Sequence, residues 1–212
     1  MGYNKDKIVI FDWGGIIVSH RKGEYNVDVA VENLIKHFKP KEKQNIVERY
    51  YNRSIDIGIK DARDIKKDKW FEQIKEEFDL KCSPKEFYDY YSKEFDNIEY
   101  YKEVVEYAHS LKEKCKIGIL SNLSYLDKQR LDKQVNLKQF DYVWLSFDLK
   151  CRKPDEKIYR IVEEDCKINP EDILFIDDCK ENIETAKKLG WNTCNAYGYE
   201  LDKIKEKVEK FL

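Results

Sequence analysis

Four short apolar runs, each delivering a polar side chain at its end, constrain the fold of this 212-residue chain more than any other feature. Ile8-Val9-Ile10-Phe11 leads into Asp12, and the run from Ile117 to Leu120 leads into Ser121 and Asn122. Tyr142 to Leu145 is followed shortly by Lys153-Pro154, and Ile173 to Ile176 runs into Asp177-Asp178. Short apolar runs of this kind read as buried strands. If those strands are parallel and share one sheet, a hydroxyl, a lysine and three carboxylates emerge at one edge, where open α/β sheets bind ligands.

The rest of the chain fits such a sheet. Between the first strand (residues 7–12) and the next (116–120) the pattern is almost entirely helical. Val27, Val31, Leu34, Ile35 and Phe38 recur at helical spacing, as do Trp70, Phe71, Ile74 and Phe78. Ser83-Pro84, with Glu86 three residues after the serine, forms a capping box that opens a further helix through Phe87, Tyr90 and Tyr91. Residues 20–95 therefore read as a small helical insertion, and 1–19 with 96–212 as the main domain. In that second part helix and strand alternate. Val104, Val105, Ala108 and Leu111 mark a helix stripe, and the strand after it is interrupted only by Gly118. Helices are expected around 126–131, from Pro154, and through Ile183, Ala186 and Leu189 with Gly190 as the stop. A strand near 193–196 and a helix over 201–211 complete the chain. The class predicted is α/β: a Rossmann-like parallel sheet with helices on both faces.

Composition removes several functions. Charged residues make up 39% of the chain but balance to a net −2, with Lys and Glu mixed throughout. Neither a nucleic-acid-binding stripe nor a polybasic membrane patch stands out. No signal-peptide core opens the chain, Asp6 stands where a myristoylation motif needs Ser or Thr, and no apolar stretch nears the roughly 18 residues of a membrane span. A cytoplasmic protein is expected. Cys82, Cys115, Cys151, Cys166, Cys179 and Cys194 include no Cys-x-x-Cys, and His20, His37 and His109 do not cluster with them. Reduced, mostly buried thiols are expected rather than zinc or disulfides. Tyr88, Tyr90, Tyr91, Phe95, Tyr100 and Tyr101 read as packing across the insertion's return to the main domain, and no sequence feature fixes an oligomeric state.

Singly, the strand-end residues have ordinary readings. Asp12, Ser121, Asn122 and Asp178 are good caps and turn formers, and Lys153 before a proline suits a solvated loop. Together they are harder to dismiss, because three crowded carboxylates against one lysine need either raised pKa values or a cation. An all-oxygen set points to a hard ion, magnesium. A phosphate then fits, with Lys153 and the metal balancing its charge and Ser121 donating to it.

In order and strand context these residues resemble the haloacid dehalogenase-like hydrolases, most of which are phosphatases with an aspartate nucleophile. Phe11-Asp12-Trp13-Gly14-Gly15 looks like the first motif, Leu120-Ser121-Asn122 the second, Arg152-Lys153-Pro154 the third and Phe175-Ile176-Asp177-Asp178 the fourth. Asn182 and Gly190 also fall where relatives often carry Asn or Asp and Gly. The insertion resembles the helical cap of the subgroup containing sugar-phosphate phosphatases and 2-haloacid dehalogenases. The resemblance implies a magnesium-dependent phosphatase acting on a small phosphorylated metabolite. Asp12 would be the nucleophile that becomes phosphorylated, and Lys153 would offset charge. Ser121, Asn122, Trp13, Gly14 and Lys153 would surround the phosphate. Asp12, the Gly14 carbonyl and Asp178 would hold magnesium, with Asp177 acting through water or by orienting Lys153.

One position departs from the pattern. Most family phosphatases carry a second Asp two residues after the nucleophile, which protonates the leaving oxygen, and here that residue is Gly14. Three readings follow: a phosphatase that uses a good leaving group, such as that of a sugar 1-phosphate or acyl phosphate, or takes the proton from a substrate hydroxyl or a water; a dehalogenase, whose halide needs no proton; or a weakly catalytic sensor of a phosphorylated ligand. The Asp177-Asp178 pair argues against the dehalogenase, which needs no metal. His20 and Arg21 read as surface hinge residues, with His20 alternatively supplying the missing acid. Trp13 reads as a core aromatic or as a platform for a sugar ring, and Cys151 and Cys179 as buried thiols beside the site.

Overall fold

The computed structural model describes residues 4–20, 25–61, 67–123 and 125–212. Strand β1 (Asn4–Phe11) lies at the centre of a five-stranded sheet with β2 (Cys115–Ser121), β3 (Tyr142–Leu145), β4 (Ile173–Asp177) and β5 (Asn192–Asn195). The order is β3-β2-β1-β4-β5 and every pairing is parallel. Phe11 is in register with Ile119 on one side and Ile176 on the other, so the strands end together and their polar residues leave by one edge. The sequence placed these strands within a few residues.

Both faces of the sheet are covered, which is why β1 is apolar without alternation. Val9 and Phe11 belong to one cluster with Val104 and Ala108 of α5 (Lys102–Ser110) and Ile204 and Val208 of α10 (Leu201–Phe211). Ile8 and Ile10 face the other way, toward Ile158 and Val162 of α8 (Glu156–Cys166) and Ile183 and Ala186 of α9 (Lys180–Lys188). Gly118 has a packing reason: a Cβ there would lie 2.9 Å from the Trp144 ring. Helix α8 starts later than expected, because Asp155 rather than a residue before Pro154 caps it by accepting from Lys157 N at 2.9 Å. A short helix α7 (Ser146–Leu149) after β3 had no sequence signal.

Between β1 and β2 come α1 (Val27–His37), α2 (Ile46–Asp61), α3 (Lys67–Phe78) and α4 (Pro84–Phe95). Asn26 caps α1 by accepting from Val29 N at 3.0 Å. The expected box starts α4, where Ser83 N donates to Glu86 at 2.8 Å and Glu86 N to Ser83 at 3.3 Å. Helix α2 escaped the sequence reading, since its tyrosines, serine and isoleucines form no clean apolar stripe. Trp70, Phe71 and Phe87 join the cluster that covers the Val9 side of the sheet, so the insertion shares the sheet's core. The chain leaves and re-enters the main body through paired segments: Ser19 N donates to Glu99 O at 3.0 Å and Tyr101 N to Ile17 O at 2.8 Å. No helix among the described residues is long and apolar enough to cross a membrane.

Candidate active site

Strand β1 delivers Asp12 just past its end, where Asp12 N donates to Ile176 O at 2.9 Å and ties the turn to β4. Its carboxylate Oδ1 accepts from Trp13 N at 2.6 Å and from Ser121 Oγ at 2.6 Å, while Oδ2 lies 3.0 Å from Lys153 Nζ. Lys153 is only 2% exposed, and its ammonium also donates to Asp177 Oδ2 at 2.7 Å and Leu120 O at 2.9 Å. Asn122 fixes the lysine from behind: its Nδ2 donates to Lys153 O at 2.8 Å and its Oδ1 accepts from Lys153 N at 2.9 Å. The Asn122 side chain is thus committed to the Lys153 main chain and positions the lysine.

The two acidic residues at the end of β4 differ. Asp177 is saturated by protein donors, with Cys179 N at 2.8 Å and Asn182 Nδ2 at 3.1 Å on Oδ1, and Lys153 and Asn182 (3.0 Å) on Oδ2. Asp178 is approached by its own main-chain amide instead, and Asn195 Nδ2 holds the carbonyls of both residues at 3.0 and 2.8 Å. Gly15, at φ +70°, makes room for it: a Cβ there would lie 2.4 Å from the Asp178 carboxyl carbon. Gly14 is different. A Cβ at that position meets nothing closer than His20 Nε2 at 3.7 Å, so a Cβ fits there without a clash.

The electrostatics follow from burial. Burial pushes Asp177 up to about 6, with Asp12's charge adding and Lys153 opposing. Burial and the neighbouring Asp177 push Asp178 up to about 6 as well. Burial alone would lower the Lys153 ammonium, but Asp12 and Asp177 outweigh it and hold the pKa above its ordinary value. Oxygens of Asp12, Asp177 and Asp178 lie within 4.8 Å of one another. One lysine does not balance three carboxylates, and this all-oxygen set fits a small divalent cation. Burial raises the thiols of Cys151 and Cys179, the latter to about 11, so neither presents a reactive thiolate.

Above these groups opens a cavity of about 450 Å³. His20 is half-buried on its wall, not a surface hinge residue as its position past β1 implied; Arg21 lies outside the described residues. Trp13 is 3% exposed, and the Arg130 guanidinium covers its ring at 4.7 Å, which favours the core-aromatic reading. The far wall comes from α2 and from α6 (Tyr125–Val135), through Tyr50, Ser54, Asp127 and Arg130. None of these four was singled out from sequence. The only trace they leave there is the i, i+3 spacing of Asp127 and Arg130, which any solvated helix also shows.

Residues 9–196 match the model of the haloacid dehalogenase-like hydrolase family. The chain belongs to that family. Among curated haloacid dehalogenase-like proteins it is similar to a D-ribitol-5-phosphate phosphatase of Bacteroides thetaiotaomicron, 23% identical over 194 residues that span 88% of this chain and 90% of the relative. A family enzyme of the same bacterium, crystallised with magnesium and inorganic phosphate, superposes with a TM-score of 0.69 at 22% identity, covering 89% of this chain and 92% of its own. The L-2-haloacid dehalogenase of Xanthobacter autotrophicus shares the fold at a TM-score of 0.60 and 19% identity, covering 88% and 76%.

Proposed function

We propose that this haloacid dehalogenase-like hydrolase is a magnesium-dependent phosphatase of a small phosphomonoester, with a sugar phosphate as the favoured class. The observation that carries this is the Asp12–Lys153–Asp177 chain of buried ion pairs at 3.0 and 2.7 Å, set beside Asp178. It leaves an excess of negative charge for a divalent cation, which a phosphate ester needs and a halide does not. The phosphatase among its relatives and the neighbour crystallised with magnesium and phosphate agree with it.

In this proposal Asp12 attacks phosphorus. A bond forms between a carboxylate oxygen and phosphorus as the bond to the leaving oxygen breaks, and water then hydrolyses the aspartyl-phosphate, dividing one barrier into two. Ser121 Oγ, which donates to Asp12 at 2.6 Å, turns to a phosphoryl oxygen. Lys153 offsets charge on both nucleophile and phosphate. Asp178, Asp12 and the Gly14 carbonyl would hold magnesium, which supplies charge neutralisation for the phosphoryl group. Asp177, saturated by Lys153 and Asn182, keeps the lysine in place. Gly14 offers no proton to the leaving oxygen. The imidazole of His20, on the cavity wall beside Gly14, fills that role in the proposal.

The test is turnover of p-nitrophenyl phosphate with magnesium, repeated with EDTA and with Asp12→Asn. Activity is expected to require both the metal and the aspartate. Turnover that ignores EDTA or survives the substitution would contradict the mechanism, while metal-dependent ligand binding without any turnover would favour a sensor. For His20, the His20→Gln variant is expected to change the pH profile; an unchanged profile removes it from the mechanism.

A further inference from the structure

Two of the proposed metal ligands, the Gly14 carbonyl and Asp178, come from different loops, and one short segment at the end of β5 holds both loops. Asn195, the last residue of β5, is in register with Asp177, the last of β4. Its side-chain amide donates to Asp177 O at 3.0 Å and to Asp178 O at 2.8 Å, using both of its hydrogens. The side chain thereby carries the parallel ladder one residue past its last backbone pair. Three residues on, Gly198 N donates to Gly15 O at 2.8 Å. A Cβ at Gly198 would lie 2.1 Å from Ile16 O, so only glycine allows this approach.

These bonds fix the direction of Asp178. A peptide unit is planar and stiff, so pinning both of its polar atoms fixes its plane. The Asp178–Cys179 peptide is pinned in this way: its carbonyl accepts from Asn195, and its N–H donates to Asp177 Oδ1 at 2.8 Å. The carbonyl of the Asp177–Asp178 peptide accepts from Asn195 and from Ala196 N at 3.3 Å, and its N–H is turned to the Asp178 carboxylate. With the planes on both sides held, the backbone of Asp178 has one conformation, and its carboxylate lies against Gly15. Asn195 does not line the cavity, so its effect passes through Asp178.

We infer that Asn195 is a positioning residue for magnesium: it aims the Asp178 carboxylate and keeps it beside the Gly14–Gly15 loop. The inference rests on the reading that Asp178 and the Gly14 carbonyl hold the metal. Outer partners of this kind keep ligands in the binding geometry before the ion arrives, and losing one typically weakens metal binding by about 10- to 100-fold.

Calorimetric titration with magnesium chloride, without substrate, tests this apart from turnover. Asn195→Leu keeps the bulk of the side chain and removes both donors; Asn195→Ala removes them too and carries the test if the leucine variant does not fold. Asn192→Leu is the control, since it removes the bond from Asn192 Nδ2 to Glu171 O at 2.7 Å at the opposite end of the same strand. The Kd for magnesium is expected to rise about tenfold or more in the Asn195 variants and to stay near that of the unsubstituted protein in Asn192→Leu. In turnover of p-nitrophenyl phosphate, excess magnesium is expected to restore kcat with the KM for the ester unchanged. An unchanged Kd in the Asn195 variants, an equal rise in Asn192→Leu, or a kcat that excess magnesium does not restore overturns the assignment. Failure of the metal reading shows separately, as no magnesium binding by the unsubstituted protein or a Kd that Asp178→Asn leaves unchanged, and either result overturns the inference with it.

Discussion

The two walls of the cavity are built on opposite rules. On the strand-end wall the buried polar atoms are engaged: Asp12 takes Ser121 and Lys153, Lys153 takes Asp177 and Leu120, and Asp177 takes Asn182. On the helical wall the Tyr50 and Ser54 hydroxyls and Nε and Nη1 of Arg130 have no hydrogen-bond partner among the described residues. A network already complete is preorganised, as catalysis of one reaction type requires. The helical wall has no such network. The chemistry is therefore assigned to the strand-end wall, and substitutions on the two should fail differently.

The sharpest contrast is expected at Asp12. Asp12→Asn should lower kcat by roughly a thousandfold or more on every substrate, since removing a nucleophile abolishes the covalent route. A selective loss, sparing some esters, would break the division between walls. Lys153→Met should follow, with a stability cost of about 3–5 kcal/mol by denaturant titration, because Asp12 and Asp177 lose their buried cation. An unchanged midpoint would mean that the network carries little of the fold's stability.

Gly14→Asp sharpens the comparison from the other side. A Cβ at Gly14 meets no close atom, so placing a carboxylic acid there should raise kcat on esters with poor leaving groups by up to about 10² and matter little for p-nitrophenyl phosphate. A fall on both would show that the glycine serves another purpose. The smallest effect concerns pH. Asp177 and Asp178 have folded-state pKa values raised to about 6, so between their unfolded values and about 6 the folded state binds more protons. Their contribution to stability is full below the unfolded pKa and declines as pH rises through about 6 when no metal is present. Magnesium should therefore raise the melting temperature more at pH 7.5 than at pH 5.5; a larger rise at pH 5.5 would contradict the shifts.

The same contrast explains what the sequence disclosed. Asp12, Ser121, Asp177 and Asp178 each sit at or just beyond the end of a buried run, so strand periodicity brings them to one edge, whereas Lys153 follows β3 only after the short helix α7. Tyr50 and Ser54 lie on a helix whose inward side is defined only by how the insertion packs over the sheet. Arg130 and Asp127 look like a solvent pair until Trp13, Phe95 and Tyr91 enclose them. His20 was legible as a nearby histidine but not as a wall of the cavity, because its direction depends on the turn around Gly14 and Gly15. The Asn122 side chain pairs with the main chain of Lys153, a contact across 31 residues that its place after β2 does not disclose.

In the proposed reaction Asp12 carries the phosphoryl group. Rapid acid quenching during turnover of a phosphate ester, followed by mass spectrometry of the digested protein, reads it directly. The expected result is one phosphoryl group on the peptide at the end of β1, localised to Asp12 and formed only with magnesium present; a phosphoryl group on any other residue would contradict it.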